Sequence, residues 1–127
     1  MSPQATVRRG IRLPCRAALV FPVRDGGRTH MGGLFGGSLL TIGPNQPLPE
    51  LEQYLESVKR WADVTKRMKV EVQILNHPLY DELFEKLERL KTRKPGERHP
   101  LVVGEDSFQR FVAIMDECTR AHLARRP

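Results

Sequence analysis

Between Leu51 and Met68 the chain repeats apolar side chains every three or four residues, through Tyr54, Leu55, Val58, Trp61, Ala62 and Thr65. That spacing puts them on one stripe of a long amphipathic helix, with charged residues on the opposite face. Gly43-Pro44-Asn45-Gln46-Pro47 breaks the chain just before it, and Pro47 and Pro49 suit a first helical turn. The flanking segments carry strand patterns. Ala17 to Val23 is a nearly continuous apolar run. Asp25-Gly26-Gly27 is a turn signal, and a partner strand from Arg28 through His30, Met31 and Leu34 would complete a hairpin. Val70 to Leu75 alternates apolar and polar residues, as a strand does. A helix that links strands in this order packs on their sheet, so the pattern is α/β.

Two further helices follow. One begins near Pro78, with Tyr80, Leu83, Phe84, Leu87 and Leu90 as its buried face and Glu82–Lys86 and Glu85–Arg89 as supporting pairs. Pro95-Gly96 ends it, and residues 91–100 form a polar loop before the short apolar stretch Leu101-Val102-Val103. Asp106 or Ser107 is placed to cap the last helix, whose core face is Phe108, Phe111, Val112, Met115 and Cys118. The glycines of Gly32-Gly33-Leu34-Phe35-Gly36-Gly37 inside a strand mark a bulge or a close approach to the backbone. They lack the order of a phosphate loop. Three short strands give a modest core, so the set reads as part of a larger layered fold.

The net charge of +6 suggests nucleic acid until it is divided along the chain. Residues 1–28 hold six arginines against Asp25 alone, whereas residues 29–127 hold fifteen basic groups against fourteen acidic ones. The body is nearly neutral, a split that does not favour the clustered basic face a phosphate backbone needs, so no nucleic-acid partner is expected. A hydrophobic content of 39% is too high for a disordered tail. No run reaches the roughly 18–20 apolar residues of a membrane span. Met1 to Arg16 reads as an unstructured basic arm. It lacks the apolar length and cleavage site of an export signal, which makes the cytoplasm the default expectation.

Cys15 and Cys118 are too few for a disulfide framework or an all-cysteine zinc cage. Ser38 and Ser57 lack a nucleophile-elbow context. Of the four histidines, His122 ends the last helix, where the dipole favours an imidazolium. His99 lies in the polar loop, and His30 falls inside a strand, where a hydrogen-bonded histidine is the common case. His77 directly follows the Val70–Leu75 strand and precedes Pro78. Ligand sites of layered α/β folds collect beyond the carboxyl ends of strands. His77 is therefore either an ordinary strand-end histidine or a donor to a metal shared with other strand ends.

Four segments occur in order: residues 21–30 (FPVRDGGRTH), residues 32–37 (GGLFGG), residues 76–81 (NHPLYD) and residues 94–104 (KPGERHPLVVG). Together, over roughly Ala17 to Leu123, they resemble the C-terminal part of metallo-β-lactamase superfamily hydrolases, near the third subclass. The resemblance implies half of an αββα sandwich, built from a β-hairpin, a helix, a strand and two helices. The whole family fold carries one or two zinc ions and hydrolyses amides or esters, β-lactams among them. By resemblance His77 matches the late histidine that binds the second zinc.

The rest of that site is missing. No His-x-His-x-Asp-His motif occurs, and the chain before Ala17 reads Gly10-Ile-Arg-Leu-Pro-Cys15, with no turn histidine. A catalytic zinc needs about three protein ligands. The expectation is therefore a 1–16 arm, arising from a shifted frame or misplaced start, joined to a 17–127 C-terminal part that is not competent alone. It would pair with a missing N-terminal half or with a second copy. The alternative is a non-enzymatic interaction module that uses the same exposed sheet.

Overall fold

The computed structural model describes residues 11–12, 17–37 and 47–126. Its elements are β1 (Ile11–Arg12), β2 (Ala17–Asp25), β3 (Arg28–Phe35), α1 (Leu48–Arg67), β4 (Val72–Ile74), a 3-10 turn at Pro78–Tyr80, α2 (Leu83–Lys91) and α3 (Glu105–Ala124). The sheet order is β1-β2-β3-β4, so the sheet has four strands rather than the three expected. The added one is β1, which lies within the stretch read as an arm and pairs with Ala17 and Ala18.

The hairpin forms as the turn signal predicts. β2 and β3 pair antiparallel from Ala18↔Phe35 to Asp25↔Arg28, with Gly26 at φ +58° in the turn. Pro22, which has no N–H to donate, lies on the stretch of β2 that β1 does not reach. α1 then carries the chain over the sheet so that β4 pairs parallel to β3, through Gly32↔Val72 to Leu34↔Ile74. The exit from α1 is a Schellman turn. Lys69 takes φ +51°, its N–H donates to Lys66 O at 3.2 Å, and the Val70 N–H donates to Thr65 O at 3.0 Å.

α1 and α3 cover one face of the sheet. Trp61 of α1 is 1% exposed and stacks on Phe35 at 5.5 Å between ring centres, while Phe108 of α3 meets it at a tilt at 6.1 Å. Gly33 makes this approach fit. A Cβ there would stand 2.8 Å from Val70 Cγ1, 3.0 Å from Phe108 Cζ and 3.2 Å from Trp61 Cζ2. The two helices are also tied by Gln109 Nε2, which donates to Thr65 Oγ1 at 2.9 Å; that hydroxyl donates in turn to Trp61 O.

The opposite face is apolar and open. Strand alternation places Leu19, Phe21, Val23, Leu34, Val72 and Ile74 on it; Val72 is buried and the other five are exposed or half-buried. Phe35, next to Leu34 in β3, points the other way and is buried, because consecutive strand residues cannot share a face.

Three other expectations are corrected. Tyr80, Phe84 and Leu87, assigned to a buried helix face, are exposed. The inward strip of α2 is Leu83, Lys86 and Leu90, and Lys86 pairs with Asp81 at 3.6 Å rather than with Glu82, which precedes the helix at φ +55°. Cys118 is exposed, and its neighbour Thr119 is buried, donating to Met115 O at 2.7 Å. α3 is capped by neither Asp106 nor Ser107; it starts at Glu105 with Gly104 as the N-cap, whose N–H donates to Glu71 O. No helix among the described residues is long and apolar enough to cross a membrane.

Gly33→Ala is expected to lower unfolding free energy by about 1–3 kcal/mol through overpacking, and Trp61→Ala by about 3–5 kcal/mol through the cavity it leaves. Urea denaturation followed by circular dichroism measures both. Lys69→Gly should raise stability by about 1 kcal/mol, since glycine takes the left-handed conformation without steric cost.

Candidate functional site

His77 stands where the sequence places it, just beyond the carboxyl end of β4. Its backbone is extended (φ −121°, ψ 98°), and Pro78 then turns the chain into the short 3-10 segment, where the Tyr80 N–H donates to His77 O at 3.2 Å. The imidazole is exposed, and the Tyr80 ring meets it edge-on at 6.3 Å. Pro78 fixes the turn through its restricted φ, so His77 is presented from a stiff strand end.

No other histidine joins it there. β3 and β4 run parallel, so His30 at the start of β3 belongs to the opposite end of the sheet. Its Nδ1 lies 2.5 Å from Glu71 Oε1, and this pair is the hydrogen-bonded strand histidine that was expected. His99 lies at the same end, accepting the Leu101 N–H on Nδ1 at 3.2 Å. His122 sits in the last turn of α3, with Nε2 buried and unpartnered among the described residues. No group of three His, Cys, Asp or Glu that could hold a metal occurs among the described residues. The donor set of the described residues therefore does not by itself fit a catalytic zinc, which takes about three protein ligands. Cys15 and Ser38 lie outside the described residues, and Ser57 is buried in α1, donating to Gln53 O.

Sequence reasoning missed one clamp. Arg93 grips Asp25 with both guanidinium nitrogens, Nη1 to Oδ1 at 2.8 Å and Nη2 to Oδ2 at 2.5 Å. This bidentate pair fastens the loop after α2 to the hairpin turn. The hydrogen bonds from Arg93 hold the Asp25 carboxyl below its ordinary value of 3.8, and Asp25 in turn raises the Arg93 guanidinium above its own. The partners are 68 residues apart, so no local spacing announces them.

No protein-family profile and no curated protein matches the sequence. Among solved structures, the chain is similar to BJP-1, a subclass B3 metallo-β-lactamase of Bradyrhizobium japonicum, with a TM-score of 0.63 at 16% identity, over 92% of this chain and 48% of that one. It is similar to the Rm3 metallo-β-lactamase at 0.58 and 11%, over 92% and 49%. It is also similar to the metallo-β-lactamase GOB-18 from Elizabethkingia meningoseptica, at 0.55 and 14%, over 99% and 52%. The likeness is one of fold: the chain has an α/β arrangement matching half of a metallo-β-lactamase, and it spans about half the length of the solved structures it matches.

The clamp has a defined pH signature. Asp25 is charged more easily in the folded chain than in the unfolded one, so it adds stability above about pH 4 and loses that contribution as pH falls through its lowered value. Urea midpoints of the natural chain and Asp25→Asn should differ at about pH 7 and converge in acid. An equal gap at both ends of the range would assign the clamp no ionic role.

Proposed function

We propose that this chain is the C-terminal half of a metallo-β-lactamase-like zinc hydrolase, inactive alone, and that His77 is its donor to a zinc site completed by an N-terminal half. The observation that carries the reading is the open sheet face. Leu19, Phe21, Val23, Leu34 and Ile74 make a contiguous apolar layer on the side away from α1 and α3. Apolar patches of this kind mark surfaces that another element covers. The matched structures are about twice as long as this chain, which is the room a second half needs.

In this reading the chain contributes position rather than chemistry. β4 and Pro78 set His77 at the sheet edge, with the Tyr80 ring edge-on to it. The substrate class is that of the resemblance, an amide or ester carbonyl, with β-lactams the first to test.

The same bare face supports a second reading, in which the chain is a non-enzymatic module that pairs with its own copy and needs no metal.

Co-expression with an N-terminal half carrying the His-x-His-x-Asp-His motif and a turn histidine decides between them. The first reading expects a co-purifying complex that retains zinc and hydrolyses a β-lactam, with less zinc retained after His77→Ala. It expects neither property from the 127-residue chain alone. A lone chain that hydrolyses the β-lactam would overturn it. A metal-free symmetric dimer that ignores the added half would establish the second reading.

A further inference from the structure

At the end of the sheet away from His77, a cleft of about 260 Å³ lies between the β2–β3 turn and the loop that follows α2. The Asp25–Arg93 clamp joins its two walls. Its lining includes Arg28 from the turn and Arg98 and His99 from the loop.

The charges in this cleft are unevenly satisfied. Both Asp25 oxygens are taken by Arg93. Glu71, beside the cleft, is taken by His30, and Glu97 Oε2 accepts the Lys94 N–H at 3.0 Å. Asp25 and Glu71 are thus paired, and Glu97, which also lines the cleft, holds only a backbone N–H; Arg28 and Arg98 have no ion-pair partner among the described residues, so with Arg93 the cleft carries three guanidinium groups against two carboxylates. Arg98 is also seated: its Nη2 lies 2.7 Å from where a Cβ on Gly104 would stand, so the missing side chain leaves the room the guanidinium occupies. His99 contributes a fixed donor. Because its Nδ1 accepts the Leu101 N–H, the neutral ring carries its proton on Nε2.

We propose that this cleft binds a phosphate group, with Arg28 and Arg98 supplying charge-assisted hydrogen bonds and His99 Nε2–H a third donor. Guanidinium forks match the oxygens of a tetrahedral oxyanion, and two of them offset the cost of desolvating a doubly charged ligand. The phosphate is either free or the end of a phosphate monoester. The site is independent of the hydrolase reading, since it lies at the other end of the strands from His77 and uses none of its neighbours.

Isothermal titration of the full chain with inorganic phosphate, and separately with glycerol phosphate, tests this at constant ionic strength set with sodium chloride. Saturable binding is expected, weakened about tenfold or more in Arg28→Gln and in Arg98→Gln. Arg110→Gln, on the exposed side of α3, should bind as the natural chain does. Binding of both compounds identifies a site for the anion itself, and binding of the monoester alone identifies an esterified ligand. A readout that needs no variant is the shift of the Gly26, Gly27 and Gly96 amide resonances on adding either compound to the natural chain. No saturable heat with either compound, no movement of those resonances, or an equal loss in Arg110→Gln would overturn the proposal.

Discussion

The closeness of α1 to β3 governs the whole architecture. Trp61 reaches the sheet because Gly33 has no side chain, and the indole then fills the space between Phe35 and Phe108. An added methyl would meet Val70, Phe108 and Trp61 at once, so the helix layer would have to lift. Lifting α1 would also break the tie from Gln109 to Thr65 that holds α3 beside it. The glycine-rich strand is therefore a packing device on its helix side. Gly32, its neighbour, faces the other way, with Val23 and Ile74 at ordinary contact distance from the space a Cβ would fill.

That arrangement satisfies only one side of the sheet. A sheet buries both faces or pairs one with water through polar residues, and the open side here stays apolar from Leu19 to Val23 and turns polar only at the hairpin end, with Asp25, Arg28 and His30. Two polar pairs close off the hairpin end, His30 with Glu71 and Asp25 with Arg93, and leave the apolar middle uncovered. The described residues thus form one sheet with helices packed on one of its faces. The match to half of each metallo-β-lactamase structure agrees with this.

Much of this was legible in the sequence wherever a single period decided it. The hairpin, the α1 stripe and the position of His77 after a strand all follow from local patterns, and the structure keeps each of them. The errors have a common cause. On α2 two adjacent apolar strips exist, and helical spacing cannot say which one meets the protein. The strip containing Leu83, Lys86 and Leu90 wins because Lys86 pairs with the buried Asp81. On α3 the buried stripe runs through Phe108, Val112, Met115 and Thr119, one residue out of phase with Cys118, and the Thr119 hydroxyl tolerates burial because it donates to Met115 O. Pairs distant in sequence, such as Asp25 with Arg93, leave no local signal. The resemblance supplied the sandwich, and no periodicity in the chain would have done so.

If the chain is the C-terminal half of a larger hydrolase, its open sheet face is an interior surface of the whole. Thiol accessibility on that face tests it directly. With Cys15 and Cys118 replaced by serine, a single cysteine introduced as Leu34→Cys should react quickly with a thiol reagent in the isolated chain. The rate should fall by about an order of magnitude or more once the N-terminal half is bound, because bulk reagent no longer reaches a buried thiol. A cysteine at Ala113, on the exposed side of α3, should react at the same rate in both states. If the thiol at position 34 reacts equally fast in the complex, the face is not an interior surface and the half-sandwich account is wrong.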